Sequence, residues 1–242
     1  MYASQFVVFL HDVDKNFIAR PSSIVRYMQE ATNQQMRDQR PSYQELFNNG
    51  YAFILSRFNL NIYHPMAIND VLTVKVWASF SGSVTYIRSY VIERDNVVCA
   101  EASGIWVLLE IAKNRFVPFG EVDLSNYSTY PPLQTTLSRR ITLPNAQFSK
   151  VGQVNVMYGQ IDCNGHLNNT NYADMLYHFC VDRDLFNPIE MTFHYIAEAP
   201  LNSPIDIYSY SVEKGDVKTY YFKTFVADKP NVVAEFVLRK KQ

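Results

Sequence analysis

The sequence predicts an α+β chain in which one structural plan is written twice. Three observations carry that expectation. A short Asp-x-Asn pattern recurs late in the chain, each copy stands between a β-like stretch and a helix-like segment, and each helix is followed by a run of strands. Strand, helix, then a meander of strands sets a helix against an antiparallel sheet, whereas a parallel sheet would alternate the two element types.

In chain order, the first copy opens with a β-like stretch from Phe6 to Leu10 and then Val13-Asp14-Lys15-Asn16. Pro21 suits the first turn of a helix, where its missing N–H is not needed, and Ser22 or Ser23 is expected to help cap that turn. Ile24, Val25, Met28 and Ala31 then recur at helical spacing. Strands are expected at Phe53 to Ile62, Val71 to Phe80, Val84 to Glu93 and Val97 to Leu109. The second copy repeats the order: Val154 to Tyr158, then Ile161-Asp162-Cys163-Asn164, then a helix with Asn168 and Asn169 at its start and Tyr172, Met175, Leu176 and Phe179 as its apolar stripe. Its strands are expected at Met191 to Ile196, Ile205 to Val212, Lys218 to Ala227 and Val232 to Arg239.

Asp162 lies 148 residues after Asp14, while Glu198, in Tyr195-Ile196-Ala197-Glu198, lies 133 after Pro65, in Ile62-Tyr63-His64-Pro65. The first copy therefore carries 15 extra residues between helix and sheet, within Thr32 to Gly50. Between the copies, Pro118 to Lys150 is rich in Pro, Ser, Thr and Asn and reads as a connection. The expected division is an N-terminal domain over 1–120, a linker over 121–149 and a C-terminal domain over 150–242. Two tandem antiparallel sheets, each wrapped around a central helix, make a double hotdog.

Composition limits the function classes. With 48% apolar residues and a net charge of −1, the chain suits a packed core and lacks the basic excess of a nucleic-acid binder. Cys99, Cys163 and Cys180 show no paired spacing, which disfavours a disulfide framework or zinc site. No signal-peptide pattern opens the sequence and no apolar run spans a bilayer, so a cytoplasmic protein is expected. Tyr27, Met28, Met36, Phe53, Phe58 and Trp77 are expected in the core. His11, His64, His178 and His194 are expected to be structural. Arg139-Arg140 and Arg239-Lys240-Lys241 read as solvated charge, with attraction of an acidic carrier protein as a lesser reading.

The copies differ where chemistry would need them to. Asp162-Cys163-Asn164-Gly165-His166 stands against Asp14-Lys15-Asn16-Phe17-Ile18, so His166 meets Ile18, and Glu198 meets Pro65. The second copy thus concentrates the acid–base groups. A histidine exchanges protons near neutral pH, and a carboxylate can activate water. An amide such as Asn164 can donate to an oxyanion, and N–H groups of the following helix are expected to join it. Gly165 suits a tight turn. Asp162 and Asn164 also have a plainer reading as turn and capping residues, since Asp14 and Asn16 persist in the copy without the histidine.

Asp162-x-Asn164-x-His166-x-Asn168-Asn169, opening a helix with Glu198 following in a strand, resembles the acyl-ACP thioesterases of plants and their bacterial relatives. The resemblance covers nearly the whole chain. It implies hydrolysis of fatty acyl thioesters of acyl carrier protein in fatty acid biosynthesis. It also implies catalysis by Asp162, Asn164, His166 and Glu198 and an acyl-chain pocket in the N-terminal domain. Neither a cofactor nor a metal is implied, and a monomer or a homodimer is open. Plant members carry Cys directly after the glutamate; here the position is Ala199, which removes a thiol nucleophile and favours attack by water or a carboxylate. Alternatives are an acyl-CoA thioesterase of the hotdog group and a non-catalytic acyl-binding protein; a hotdog dehydratase fits the motif less well.

Overall fold

The computed structural model describes residues 1–135 and 140–241. The chain divides into two compact units, Met1–Ser138 and Arg139–Gln242.

In the first unit β1 (Tyr2–Val7) leads through a 3₁₀ turn at Leu10–Asp12 to α1 (Pro21–Gln39) and α2 (Tyr43–Asn48). The strands β2 (Tyr51–Ile62), β3 (Val71–Ser81), β4 (Thr85–Arg94), β5 (Val97–Glu110) and the short β6 (Arg115–Phe116) follow. They form an antiparallel sheet in the order β1-β3-β4-β5-β2, with β6 on the end of β5. Alternate residues of β3, Leu72, Val74, Val76 and Ala78, are buried, as are Ile24, Val25, Met28, Ala31 and Met36 of α1. Each large apolar side chain so buried contributes about 1.5–3 kcal/mol. Polar contacts tie α1 to β4: the Thr32 hydroxyl lies 3.1 Å from that of Tyr90, and Arg88 Nη1 donates to Gln35 Oε1 at 2.7 Å. Arg88 is buried, and its guanidinium lies over the Tyr127 ring at 5.5 Å. Burial pushes its pKa down.

Three local expectations are corrected. The first strand ends at Val7, because the apolar Phe9 and Leu10 are exposed around the 3₁₀ turn. Ser22 and Ser23 do not cap α1: Arg20 is the N-cap without a side-chain bond, and buried Ser23 Oγ donates to Asp12 O at 2.8 Å. The front of the expected linker packs on the first unit. Leu124 and Tyr127 are buried against Met36, Leu46, Tyr86 and Leu108. Trp77 Nε1 and Ser79 Oγ donate to the carbonyls of Pro131 and Tyr130 at 2.9 and 2.5 Å. The linker's residues 136–139, including Arg139, lie outside the described residues. The 15-residue surplus is accounted for locally by the extension of α1 and by α2, whose Ser42–Glu45 capping box satisfies its first turn.

In the second unit β7 (Ser149–Asn155), a 3₁₀ turn at Tyr158–Gln160 and α3 (Asn171–Tyr177) precede β8 (Phe186–Tyr195), β9 (Pro204–Lys214), β10 (Val217–Val226) and β11 (Lys229–Lys240). The antiparallel order is β8-β11-β10-β9-β7. α3 buries Tyr172, Ala173 and Leu176, and the Tyr172 ring meets Tyr195 of β8 edge-on at 5.8 Å. Just past α3, the Phe179 ring occupies the space where a Cβ on Gly152 of β7 would stand, 2.5 Å away, so that glycine permits the close approach. β7 again begins and ends earlier than the apolar pattern suggests, with Met157 and Tyr158 exposed.

Candidate active site

The loop from Ile161 to Leu167 is a tight hairpin. Ile161 bridges Leu167, Asp162 N donates to His166 O at 2.9 Å, and Gly165 N donates to Asp162 O at 3.0 Å. Gly165 takes the left-handed conformation, φ 80°, that closes such a turn. Asp162 organises it: Oδ1 accepts from Asn164 N at 2.8 Å and Oδ2 from Asn164 Nδ2 at 3.4 Å.

The same loop exists in the first unit. Val13 bridges Ala19, Asp14 N donates to Ile18 O at 2.8 Å, and Asp14 Oδ1 accepts from Asn16 N at 2.8 Å. Phe17 takes the place of Gly165 at φ 62°, a region that L-residues with a side chain resist. The turn reading of Asp162 and Asn164 is therefore real chemistry in both copies, whatever else these groups do.

The two loops also dock alike. Leu167 N donates to Ala199 O and Ala19 N to Met66 O, both at 2.8 Å, and His166 bridges Pro200 as Ile18 bridges Ala67. On this shared frame the second unit brings His166 Nε2 to 3.2 Å from Glu198 Oε2, where the first unit has Ile18 and Pro65. The side chains are 30% and 63% exposed. An ion pair that open to water adds at most about 1 kcal/mol to stability, so the pairing is not explained by a need to hold the fold together.

The helix after the loop supplies less than the sequence promised. α3 has 7 residues, Thr170 is its N-cap without a side-chain bond, and Asn168 Oδ1 takes the Thr170 N–H at 3.0 Å and hydroxyl at 2.9 Å. A residue the sequence did not single out does reach the segment between the loop and α3: Tyr195 OH donates to Asn169 O at 3.3 Å. Burial holds the Tyr195 phenol well above the ordinary tyrosine range, which keeps it a donor.

No thiol replaces the missing cysteine. Ala199 is buried, Cys163 is exposed on the loop, and Cys99 and Cys180 are buried, with burial pushing both thiols up. His194 Nε2 accepts from Ile141 N at 3.3 Å, and His178 caps the end of α3. Among the described residues, no group of three or more His, Cys, Asp or Glu is placed to hold a metal, and no helix is long and apolar enough to cross a membrane.

No curated protein sequence matches the chain. Among solved structures, an acyl-ACP thioesterase from Bacteroides thetaiotaomicron superposes with a TM-score of 0.87 at 15% identity, covering 98% of this chain and 97% of that one. A 12:0-ACP thioesterase from Umbellularia californica gives 0.84 at 13% identity, covering 99% and 94%. At such identities the likeness speaks for the fold, a double hotdog. Residues 1–123 match the acyl-ACP thioesterase N-terminal domain and residues 144–236 the acyl-ACP thioesterase C-terminal domain. With both domains matched in order over most of its length, the chain belongs to the acyl-ACP thioesterase family of thioester hydrolases.

Proposed function

We propose that the protein hydrolyses fatty acyl thioesters of acyl carrier protein to free fatty acid and holo-carrier, within fatty acid biosynthesis, and that Asp162, Asn164, His166 and Glu198 do the chemistry. The observation that carries this reading is the His166–Glu198 pair at 3.2 Å, set on a backbone frame that the first unit repeats without either group. The carboxylate–imidazole pair takes a proton from water as its oxygen bonds to the thioester carbonyl carbon. The C–S bond then breaks, and the proton passes to the departing thiolate. Asn164 offers an amide donor to the oxyanion, and Asp162, bonded to Asn164, fixes that amide. With Ala199 after Glu198 no thiol stands there to attack, and water activated by the pair is the proposed nucleophile, with direct attack by a carboxylate as the second reading.

The acyl chain is assigned to the N-terminal domain, 1–120 together with the packed segment 121–135, on the support of the buried apolar side chains of α1 and β3. The catalytic domain is assigned to 150–242. Three unpaired cysteines fit a reducing cytoplasm. The test is to incubate the purified protein separately with acyl-ACP and acyl-CoA of equal chain length and follow thiol release. Release from acyl-ACP supports the proposal; release from acyl-CoA alone would move the protein to the nucleotide-recognising hotdog enzymes.

A further inference from the structure

Asn231 of β11 is fully buried and hydrogen-bonded at both ends of its amide. Its Oδ1 accepts from Tyr172 OH of α3 and from Thr224 Oγ1 of β10, both at 2.9 Å, and its Nδ2 donates to Ala197 O at 2.5 Å. A carbonyl at one end and two hydroxyls at the other fix which way the amide faces. Its backbone carbonyl accepts from Ile196 N at 2.8 Å and Ala197 N at 3.2 Å. Asn231 therefore grips the turn that delivers Glu198 and ties it to the helix that follows the His166 loop.

The first unit supplies an internal comparison. Tyr195 pairs with Val232 as Ile62 pairs with Ala100, so Asn231 corresponds to Cys99. Phe222 pairs with Ala234 as Tyr90 pairs with Ala102, so Thr224 corresponds to Ile92. The loop offset aligns Tyr172 with Ile24. Tyr63 N and His64 N donate to Cys99 O at 2.8 and 3.2 Å, the distances seen at Asn231. The turn thus forms equally well over a buried apolar trio of Ile24, Ile92 and Cys99. The polar trio stands only in the unit that carries the histidine and the glutamate.

We propose that Asn231, held by Tyr172 and Thr224, is a positioning residue that sets Glu198 against His166. The inference rests on the reading that this pair carries hydrolysis. It adds a specific, buried requirement that neither the fold nor the turn imposes.

The test uses the full-length protein with acyl-ACP as substrate and reads kcat, KM, the pH profile of kcat and melting temperature. Asn231→Cys alone strands the buried Tyr172 hydroxyl, while Thr224 Oγ1 keeps its bonds to Val232 O and N, and it should lower both melting temperature and kcat. The triple change Tyr172→Ile, Thr224→Ile, Asn231→Cys copies the first unit and removes the three polar side chains together, leaving Val232 N without the Thr224 Oγ1 that accepts from it at 2.9 Å, so a lowered melting temperature is expected and turnover is read well below the transition. It should leave kcat roughly 10²-fold down, the scale of an ångström's misplacement, with KM little changed and the pH profile displaced. Should the triple variant not fold, the milder Tyr172→Phe with Thr224→Val takes its place. A folded variant with wild-type kcat and pH profile overturns the proposal. So does a loss of activity that only follows the loss of folded protein. A His166→Ala control separates the two levels: if that control turns over like wild type, the reading of the pair itself has failed, whereas a dead control with active trio variants refutes the role of Asn231 alone.

Discussion

Replacing Asp14 or Asp162 by alanine makes the same perturbation in two copies of one loop. Asp162 accepts from Asn164 N and Nδ2 at 2.8 and 3.4 Å; Asp14 accepts from Asn16 N and Nδ2 at 2.8 and 3.2 Å, and from Ile18 N at 3.2 Å. Asn16 and Asn164 are both exposed, so the freed N–H groups return to water and the loss resembles that of a helix cap, about 0.5–2 kcal/mol. In a chain of this length that lowers the melting temperature by about 1–8 °C. Asp14→Ala should lose at least as much as Asp162→Ala, since it gives up the additional bond. Turnover of acyl-ACP, measured well below either transition, should separate them: Asp14→Ala keeps wild-type kcat, and Asp162→Ala falls by roughly 10²-fold or more. If Asp162→Ala melts like its counterpart and turns over like wild type, Asp162 is a turn residue only. A dead but folded Asp14→Ala would put the chemistry in the wrong unit.

Two further outcomes follow from the same structure. Iodoacetamide should alkylate exposed Cys163 without abolishing turnover, and Cys163→Ala should stay active, because Cys99 and Cys180 are buried and Ala199 offers no thiol; loss of activity in both experiments would restore a thiolate mechanism. Ala78→Trp, on the buried face of β3, should shift product toward shorter acyl chains as read by gas chromatography of released acids, and an unchanged profile across a scan of the first unit would remove the acyl chain from that unit.

The plan of the fold was legible because its signals are local and repeated. The offsets of 148 and 133 residues reappear as matching backbone bonds, Asp14 N to Ile18 O beside Asp162 N to His166 O, and Ala19 N to Met66 O beside Leu167 N to Ala199 O. The candidate residues were legible for the same reason, as differences between aligned copies. Local apolar patterns misled at the first strand of each unit, where Phe9, Leu10, Met157 and Tyr158 are apolar yet exposed on 3₁₀ turns. Composition misled at residues 121–135, since Pro-rich sequence can pack as well as connect, and Leu124 and Tyr127 do. The Asn231 trio was invisible because its members stand far apart in sequence and meet only through strand register and the packing of α3. Buried Arg88 escaped too: in sequence it is one charge in a strand, and only the fold sets Gln35, Phe53 and Tyr127 around it.

The central claim is that the second unit's His166–Glu198 pair performs hydrolysis on a frame the first unit repeats without it. The most direct measurement is steady-state turnover of acyl-ACP by His166→Ala and by Glu198→Gln, each checked for an unaltered fold and melting transition. The exposed pair adds little to stability, so both variants should melt close to wild type, while kcat should fall by roughly 10²–10⁴-fold, the range for lost acid–base assistance. Turnover at the wild-type rate in either folded variant would contradict the account.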